Sequence, residues 1–393
     1  MINSIDQKPT RILRFVKMFL QSPKVMANET AKYFILKLPS YARRQLAPIE
    51  KNITQNLRGF LVKDIVKNFS VTEKFINLYM PSQVPLEWSK SNWKEFAAGI
   101  TPLGKMYVEF ALTTVVRGRD MVSLLESHSY IRRKDRYLDI GTGYGGFLRA
   151  FRDADFKEVI GIELDQNLAN YAQANIDGLQ NAQVLTGDFV KDDFSSLGSF
   201  DVITCNDVIE HVDDPALAIQ RMSALVNDDG CLFLKVPNKD HIAFVKSDGH
   251  FKIFGLTQLL KNDAADYYAA CLGKEKTEYY YQMGEMYELD FYIRQLSGNG
   301  LSATVVDTPA DISVNDVAHS IDDLKQAYAA WQQEKKPDLN QEIAQKVVIA
   351  VENYMNELEL AFYKIADDAS KKQFSDKYLQ SFWNIVAFRR PFA

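Results

Sequence analysis

With 393 residues, 47% of them hydrophobic and 25% charged, the chain has the balance of a soluble globular protein and is long enough for two or three domains. Its net charge of −5 excludes general nucleic-acid binding, which needs a basic face, and the lack of any run of 18 apolar residues excludes a transmembrane helix. Cys205, Cys231 and Cys271 show no C-x-x-C spacing; Cys205 and Cys231 fall in apolar runs and read as small core residues in a reducing compartment.

Residues 1–130 read as a helical N-terminal or lid domain. Ile12, Leu13, Phe15, Val16, Phe19 and Leu20 form an apolar face, and Arg11, Arg14 and Lys17 recur opposite it. Arg14 and Lys17 also interrupt the only apolar run near the start, which argues against a signal peptide and for a cytoplasmic protein. Up to residue 70 there are thirteen basic and four acidic residues, a surplus of nine, so the remainder carries −14. Such a basic amphipathic start either lies on an anionic membrane surface or docks on the protein's own body or on a second copy in a homodimer. Pro81 to Pro102 is loop-rich, and an amphipathic helix is expected from Leu103 to about Leu125. Trp88, Trp93 and Tyr107 are candidates for a lid.

From Arg136 the pattern alternates strictly between strand and helix. Strands are expected at Tyr137–Ile140, Glu158–Leu164, Ala182–Thr186, Phe200–Cys205 and Cys231–Val236. Helices fit between them at Gly146–Asp153, Gln166–Asn175 and Pro215–Val226, and Asn227-Asp228-Asp229-Gly230 reads as a turn. Apolar runs such as Val202-Ile203-Thr204-Cys205 suit strands covered on both faces, hence a parallel sheet. Beyond Pro237 a helix is expected over His250–Leu260 and another over Tyr287–Leu296. A strand follows at Leu301–Val306, then helix from 311 to about 378, and a last strand before Pro391.

The chemistry starts in Tyr137-Leu138-Asp139-Ile140-Gly141-Thr142-Gly143-Tyr144-Gly145-Gly146, where a buried strand runs into glycines and then a helix. That unit offers backbone N–H groups and a helix N-terminus to a nucleotide-like ligand. Gly141, Gly143 and Gly146 satisfy the dinucleotide pattern G-x-G-x-x-G, while Asp139, Gly141, Gly143 and Gly145 satisfy Asp-x-Gly-x-Gly-x-Gly. Glu163, 22 positions after Gly141, stands where a carboxylate can accept both ribose hydroxyls; this points to a nucleoside without naming it. Gly187-Asp188-Phe189 closes the third strand. The fourth ends in Asn206-Asp207-Val208-Ile209-Glu210-His211-Val212-Asp213-Asp214-Pro215 and the fifth in Val236-Pro237-Asn238.

Taken together, these motifs resemble the class I S-adenosylmethionine (SAM) methyltransferases, and most of all the group around the ubiquinone-biosynthesis O-methyltransferases. The resemblance covers roughly residues 133–310. It implies an α/β fold: a doubly wound, Rossmann-like, seven-stranded sheet with the last strand antiparallel. Residues 1–130 then form an N-terminal helical domain, 131–310 the SAM-binding core, 311–378 a helical insertion and 379–393 the last strand. The family's roles imply that Gly141, Gly143 and Gly145 pass beneath the methionine part of SAM and that Asp139 helps hold its amino group. Glu163, with Leu164 beside it, would bind the ribose, Asp188 and Phe189 the adenine, and the Asn206 backbone would flank the methionine.

A hydroxyl acceptor must lose a proton as it attacks, and His211 is the candidate base, with His250 a second; Glu210 and Asp207 stand beside them. Asp207-x-x-Glu210-His211 is also similar to an acidic-x-x-Glu-His run that some relatives use for a divalent cation. Asp stands here where those have Glu, and no metal ligand is assigned. The expected reaction is O-methylation of a small-molecule, sugar or lipid-linked acceptor. N-methylation and a non-catalytic SAM-binding scaffold are the alternatives, and an NAD(P) oxidoreductase is the reading that the glycine pattern alone leaves open.

Overall fold

The computed structural model describes residues 57–83, 90–306 and 313–389. The basic amphipathic run at 11–20, Trp88 and most of the +9 segment therefore lie outside the described residues. Among the described residues, no helix is long and apolar enough to cross a membrane.

Seven strands form one sheet: β1 Arg136–Ile140, β2 Glu158–Glu163, β3 Ala182–Thr186, β4 Phe200–Asn206, β5 Val226–Pro237, β6 Ser302–Val306 and β7 Phe382–Phe388. Their order is β3-β2-β1-β4-β5-β7-β6. Strand β1 pairs in parallel with β2 on one side and β4 on the other, β4 pairs in parallel with β5, and β7 is antiparallel to both β5 and β6. The central strands are apolar on both faces because both faces are covered, as the run Val202–Cys205 predicts. The direction of strand succession reverses between β1 and β4. Ligands of open α/β sheets bind beyond the strand carboxyl ends at such a point.

Between the strands, Gly146–Asp153 and Gln166–Asn175 are helical as expected, and Pro215–Leu225 ends one residue early. Their starts are chemically marked. The Asp165 side chain accepts from the N–H groups of Asn167 and Leu168, and Asp214 accepts from Leu217 with Pro215 at the first helical position. The stretch 311–378 resolves into Val314–Glu334, Gln341–Tyr363 and Asp368–Tyr378. Cys205 and Cys231 are buried, whereas Cys271 is exposed.

Four expectations are corrected. The helix expected over Leu103–Leu125 is two helices, Pro102–Leu112 and Thr114–Ser127, because the Thr113 hydroxyl bonds back to the Glu109 carbonyl at 2.7 Å. Pro81 lies inside the helix Glu73–Gln83, in its last turn. Asn227–Gly230 is no free turn but an irregularity within β5, where the register to β4 slips. His250–Leu260 does not form a helix. Asp248, buried, gathers the N–H groups of His250, Phe251 and Ile253 into a turn, and only Leu256–Gln258 winds once.

The described residues fall into two compact units. One comprises residues up to Ser123 with 142–154 and 165–184; the other comprises 124–141, 155–164 and everything from Leu185. The first is cored by Leu61, Ile65, Phe75, Ile76, Tyr79, Met80, Leu112 and Val115. The second packs Leu138, Ile160, Ile203, Ile219, Leu234 and Trp383 around the sheet.

Candidate active site

Strand β1 presents Asp139 almost wholly buried, at 3% exposure. The Thr204 hydroxyl donates to its Oδ1 at 2.6 Å, and the Tyr137 hydroxyl lies 2.6 Å from Thr204 Oγ1. Threonine has a single hydrogen to give, so Tyr137 donates to Thr204 and Thr204 to Asp139. This two-step chain fixes the carboxylate of β1 against β4.

Gly141 follows at φ 70, and Gly143 and Gly145 share the left-handed region. A Cβ on Gly141 would meet Val208 Cγ2 at 2.3 Å, so both the backbone angle and the close approach require glycine here. Glu163 ends β2 at 7% exposure, and its carbonyl accepts from the Gly187 amide at 3.0 Å, which draws the Gly187-Asp188 turn to that strand tip. Leu164, beside it, is 68% exposed: a large apolar side chain displayed at a strand end.

The Asp188 carboxylate is largely occupied by its own turn. It accepts from the N–H groups of Val190 and Lys191, and the Lys191 ammonium stands 3.0 Å away. Burial acts to raise its pKa, but these hydrogen bonds outweigh burial and hold it below the ordinary carboxylate range. Phe189 is buried in the core around the sheet and stacks on Phe194 at 6.1 Å.

Strand β4 ends at Asn206, whose side-chain oxygen and nitrogen are both buried without a hydrogen-bond partner. A polar pair left unmatched inside a protein is uncommon and suits a site that receives a polar ligand. Asp207 follows at φ 56, and its Oδ2 pairs with Lys235 at 3.0 Å. Then comes one short turn, Ile209–His211.

Glu210, at 2% exposure, points inward from that turn with Oε2 buried and partnerless. Burial pushes its carboxyl up to about 8; Asp207 adds to the rise, while its own backbone N–H and Lys235 oppose it. His211 Nε2 lies 3.7 Å from Glu210 Oε1, and His211 Nδ1 lies 2.5 Å from the Gln282 carbonyl oxygen. A carbonyl only accepts, so Nδ1 carries the hydrogen and, in the neutral ring, Nε2 is the bare base. His250 stands edge-on to His211, ring centroids 5.5 Å apart. Enclosure of its ring, and then the neighbouring His211, hold the His250 pKa below the ordinary histidine value.

Asp207, Glu210, His211 and His250 are thus brought into one neighbourhood, although His250 arrives on a turn 39 positions after His211. In the run Asp207-x-x-Glu210-His211, Asp207 Oδ2 pairs with Lys235 while its Oδ1 is buried without a hydrogen-bond partner. Among the described residues, the trio whose ligand atoms lie within 4.8 Å of one another is Glu210, His211 and His250.

In the other unit, the loop residue Tyr144 is held by contacts that the sequence does not announce. The Asn175 amide donates to the Tyr144 carbonyl at 2.9 Å, and Asn175 Oδ1 accepts from the Thr72 N–H. Tyr79 meets the Tyr144 ring edge-on at 5.3 Å, with Phe75 and Tyr171 nearby. Trp93 packs on Phe69 and Phe96, and Tyr107 lends its carbonyl to the Tyr79 hydroxyl. Asn175, Thr72 and Tyr79 hold Tyr144 in this unit without a motif; their partners are distant in the chain.

Residues 117–304 match a family described as a methyltransferase domain. The ubiquinone biosynthesis O-methyltransferase of Aromatoleum aromaticum is 30% identical over 129 residues, 32% of this chain and 52% of that protein. That of Neisseria meningitidis is 34% identical over 122 residues, 30% of this chain and 49% of that protein. The chain therefore spans about half the length of the curated relatives it matches. Among solved structures, the SAM-bound amino pentose methyltransferase of Micromonospora echinaspora is similar at 23% identity and a TM-score of 0.25, over 36% of this chain and 53% of that one. By the match at 117–304 and by these relatives, this part of the chain is similar to the class I SAM-dependent methyltransferases.

Proposed function

We propose that this protein moves the methyl group of SAM to a hydroxyl of a small-molecule, sugar or lipid-linked acceptor and releases S-adenosylhomocysteine. The observation that carries this reading is the set of groups at the β1/β4 switch. A pinned carboxylate at Asp139, a left-handed Gly141, a nearly buried carboxylate at Glu163 and a partnerless amide at Asn206 suit a charged amino acid joined to a nucleoside.

In this reading Asp139 and Asn206 receive the methionine end, and the backbone of Gly141 follows its length. Glu163 accepts the ribose hydroxyls, Leu164 and Phe189 offer apolar contact to the adenine, and Asp188 lies by its amino group. When bound, the sulfonium supplies an already activated methyl group. What remains for the protein is to align the acceptor, exclude water and take one proton. His211 Nε2 takes that proton, with Glu210 and His250 bounding the space for the acceptor oxygen.

Calorimetry with S-adenosylhomocysteine and with NADH tests the donor: heat with the first and none with the second is expected, and the reverse overturns the reading. Labelled SAM, incubated with a panel of phenols, catechols, sugars and amines, tests the acceptor. Label in hydroxyl compounds is expected; label confined to amines overturns O-methylation.

A further inference from the structure

We infer that the loop Gln282–Gly284 is the positioning device for His211: its backbone sets which imidazole nitrogen is bare, and Gly284 is the residue that lets it come close enough. The inference rests on the reading of His211 as the base.

The His211 side chain is 40% exposed and leaves a single short turn, so packing alone does not orient it. What orients it is the Gln282 carbonyl, 2.5 Å from Nδ1. Gln282 is the last residue of the helix Lys276–Gln282, and the closing carbonyls of a helix lack partners within it. One of them is spent here on an imidazole N–H. That bond holds the Nδ1–H tautomer and turns Nε2 toward Glu210.

A second bond runs the opposite way. The Gly284 amide donates to the Glu210 carbonyl at 2.6 Å, so the turn carrying the base and the loop beyond the helix clasp one another. The clasp is too close for a side chain. A Cβ on Gly284 would stand 2.6 Å from the Val212 carbonyl oxygen and 2.9 Å from that of Glu210. Both are backbone atoms and neither can swing aside. Glycine is needed here for closeness rather than for its φ. The same helix buries Tyr279 against Phe251 and Tyr268, and Phe251 is the neighbour of His250. One element therefore braces the turns that carry both histidines.

The test is 15N NMR of the His211 ring in the whole protein, together with S-adenosylhomocysteine titration and turnover on the hydroxyl probe found with labelled SAM. The wild type is expected to show hydrogen on Nδ1; hydrogen on Nε2 overturns the inference whatever the variants do. Gly284→Ala is expected to give mixed tautomers and about 10- to 100-fold lower kcat, with S-adenosylhomocysteine affinity within about twofold. Gln282→Ala, which keeps the carbonyl, is expected to match wild type in all three. A Gly284→Ala variant with unchanged tautomer and kcat overturns the inference, and so does a Gln282→Ala variant as impaired as Gly284→Ala. If Gly284→Ala does not fold, the wild-type tautomer and Gln282→Ala decide. Wild-type turnover in His211→Ala overturns the base reading instead, a result separate from all of these.

Discussion

The carboxyl edge of the sheet has two halves that are built differently. On the β1–β2 side, Asp139, Gly141 and Glu163 lie at or next to strand ends, and their positions follow from where each strand stops. On the β4 side, the surroundings of the proposed base are assembled from three stretches: the turn after Asn206, the Asp248 turn that carries His250, and the loop after Gln282. In the proposed reading, the first half receives the donor, a constant molecule met by a constant pattern. Buried polar atoms without a partner occur in the glycine loop, at Thr142 Oγ1, as well as after β4, at Asn206, Asp207 Oδ1 and Glu210 Oε2; what sets the second half apart is its construction from loops, where a change of one loop would alter what can be bound.

If the halves divide labour in this way, breaking one should leave the other working. The largest effect is expected on the β4 side. His211→Ala removes the bare Nε2 and should lower turnover about 100-fold or more, with S-adenosylhomocysteine affinity nearly unchanged. Equal losses in turnover and in donor affinity would show that the halves are not separable. Glu163→Ala breaks the opposite half. Loss of a charge-assisted, two-toothed contact to the ribose should cost about 2 kcal/mol, or roughly 30-fold in S-adenosylhomocysteine affinity by calorimetry. Unchanged affinity would remove Glu163 from the donor site.

The same contrast explains what could be read from the sequence. Strand, glycine loop and acidic strand tip are local patterns, so β1, Gly141 and the end of β2 stand where the residues predict. The identities Asp207, Glu210 and His211 were equally visible, but their geometry was not. The Asp207–Lys235 pair, the Gln282 carbonyl on His211 and the Tyr137–Thr204–Asp139 chain join residues 28 to 71 positions apart. No periodicity records such pairings. His250–Leu260 looked helical because its apolar spacing allowed a helix, and the buried Asp248 carboxylate captured its N–H groups first. Asn175 and Thr72 support Tyr144 through bonds that leave no mark on a motif.

A smaller effect tests whether the β4 half carries a standing cost. The Glu210 carboxyl is raised to about 8 in the folded chain, above its ordinary value near 4.5. Between those values the folded protein keeps a proton that the unfolded chain releases. The associated stability is complete below about 4.5 and is lost as pH rises through about 8. Glu210→Gln abolishes this dependence. At pH 9 the variant should be more stable than wild type by about 1–2 kcal/mol, and at pH 4 the two should converge. Thermal melts across that range decide it; parallel curves would mean that Glu210 ionises as freely as a surface carboxylate.

The smallest effect is expected at Asn206, the residue of β4 nearest in role to the donor half. Both its amide atoms are buried without a partner, so the amide adds little to the stability of the protein alone. Replacing a partnerless polar group by an apolar one of similar shape is neutral or stabilising, whereas removing a group that pairs with a ligand weakens binding. Asn206→Leu should therefore leave the melting temperature unchanged or slightly raised while weakening S-adenosylhomocysteine binding by about 1 kcal/mol, roughly fivefold. The opposite signs are the informative part. A variant that loses stability and affinity together would show that the amide is structural, held by partners within the fold. A variant that loses neither would move the methionine end of the donor away from β4 and leave that half to the acceptor alone.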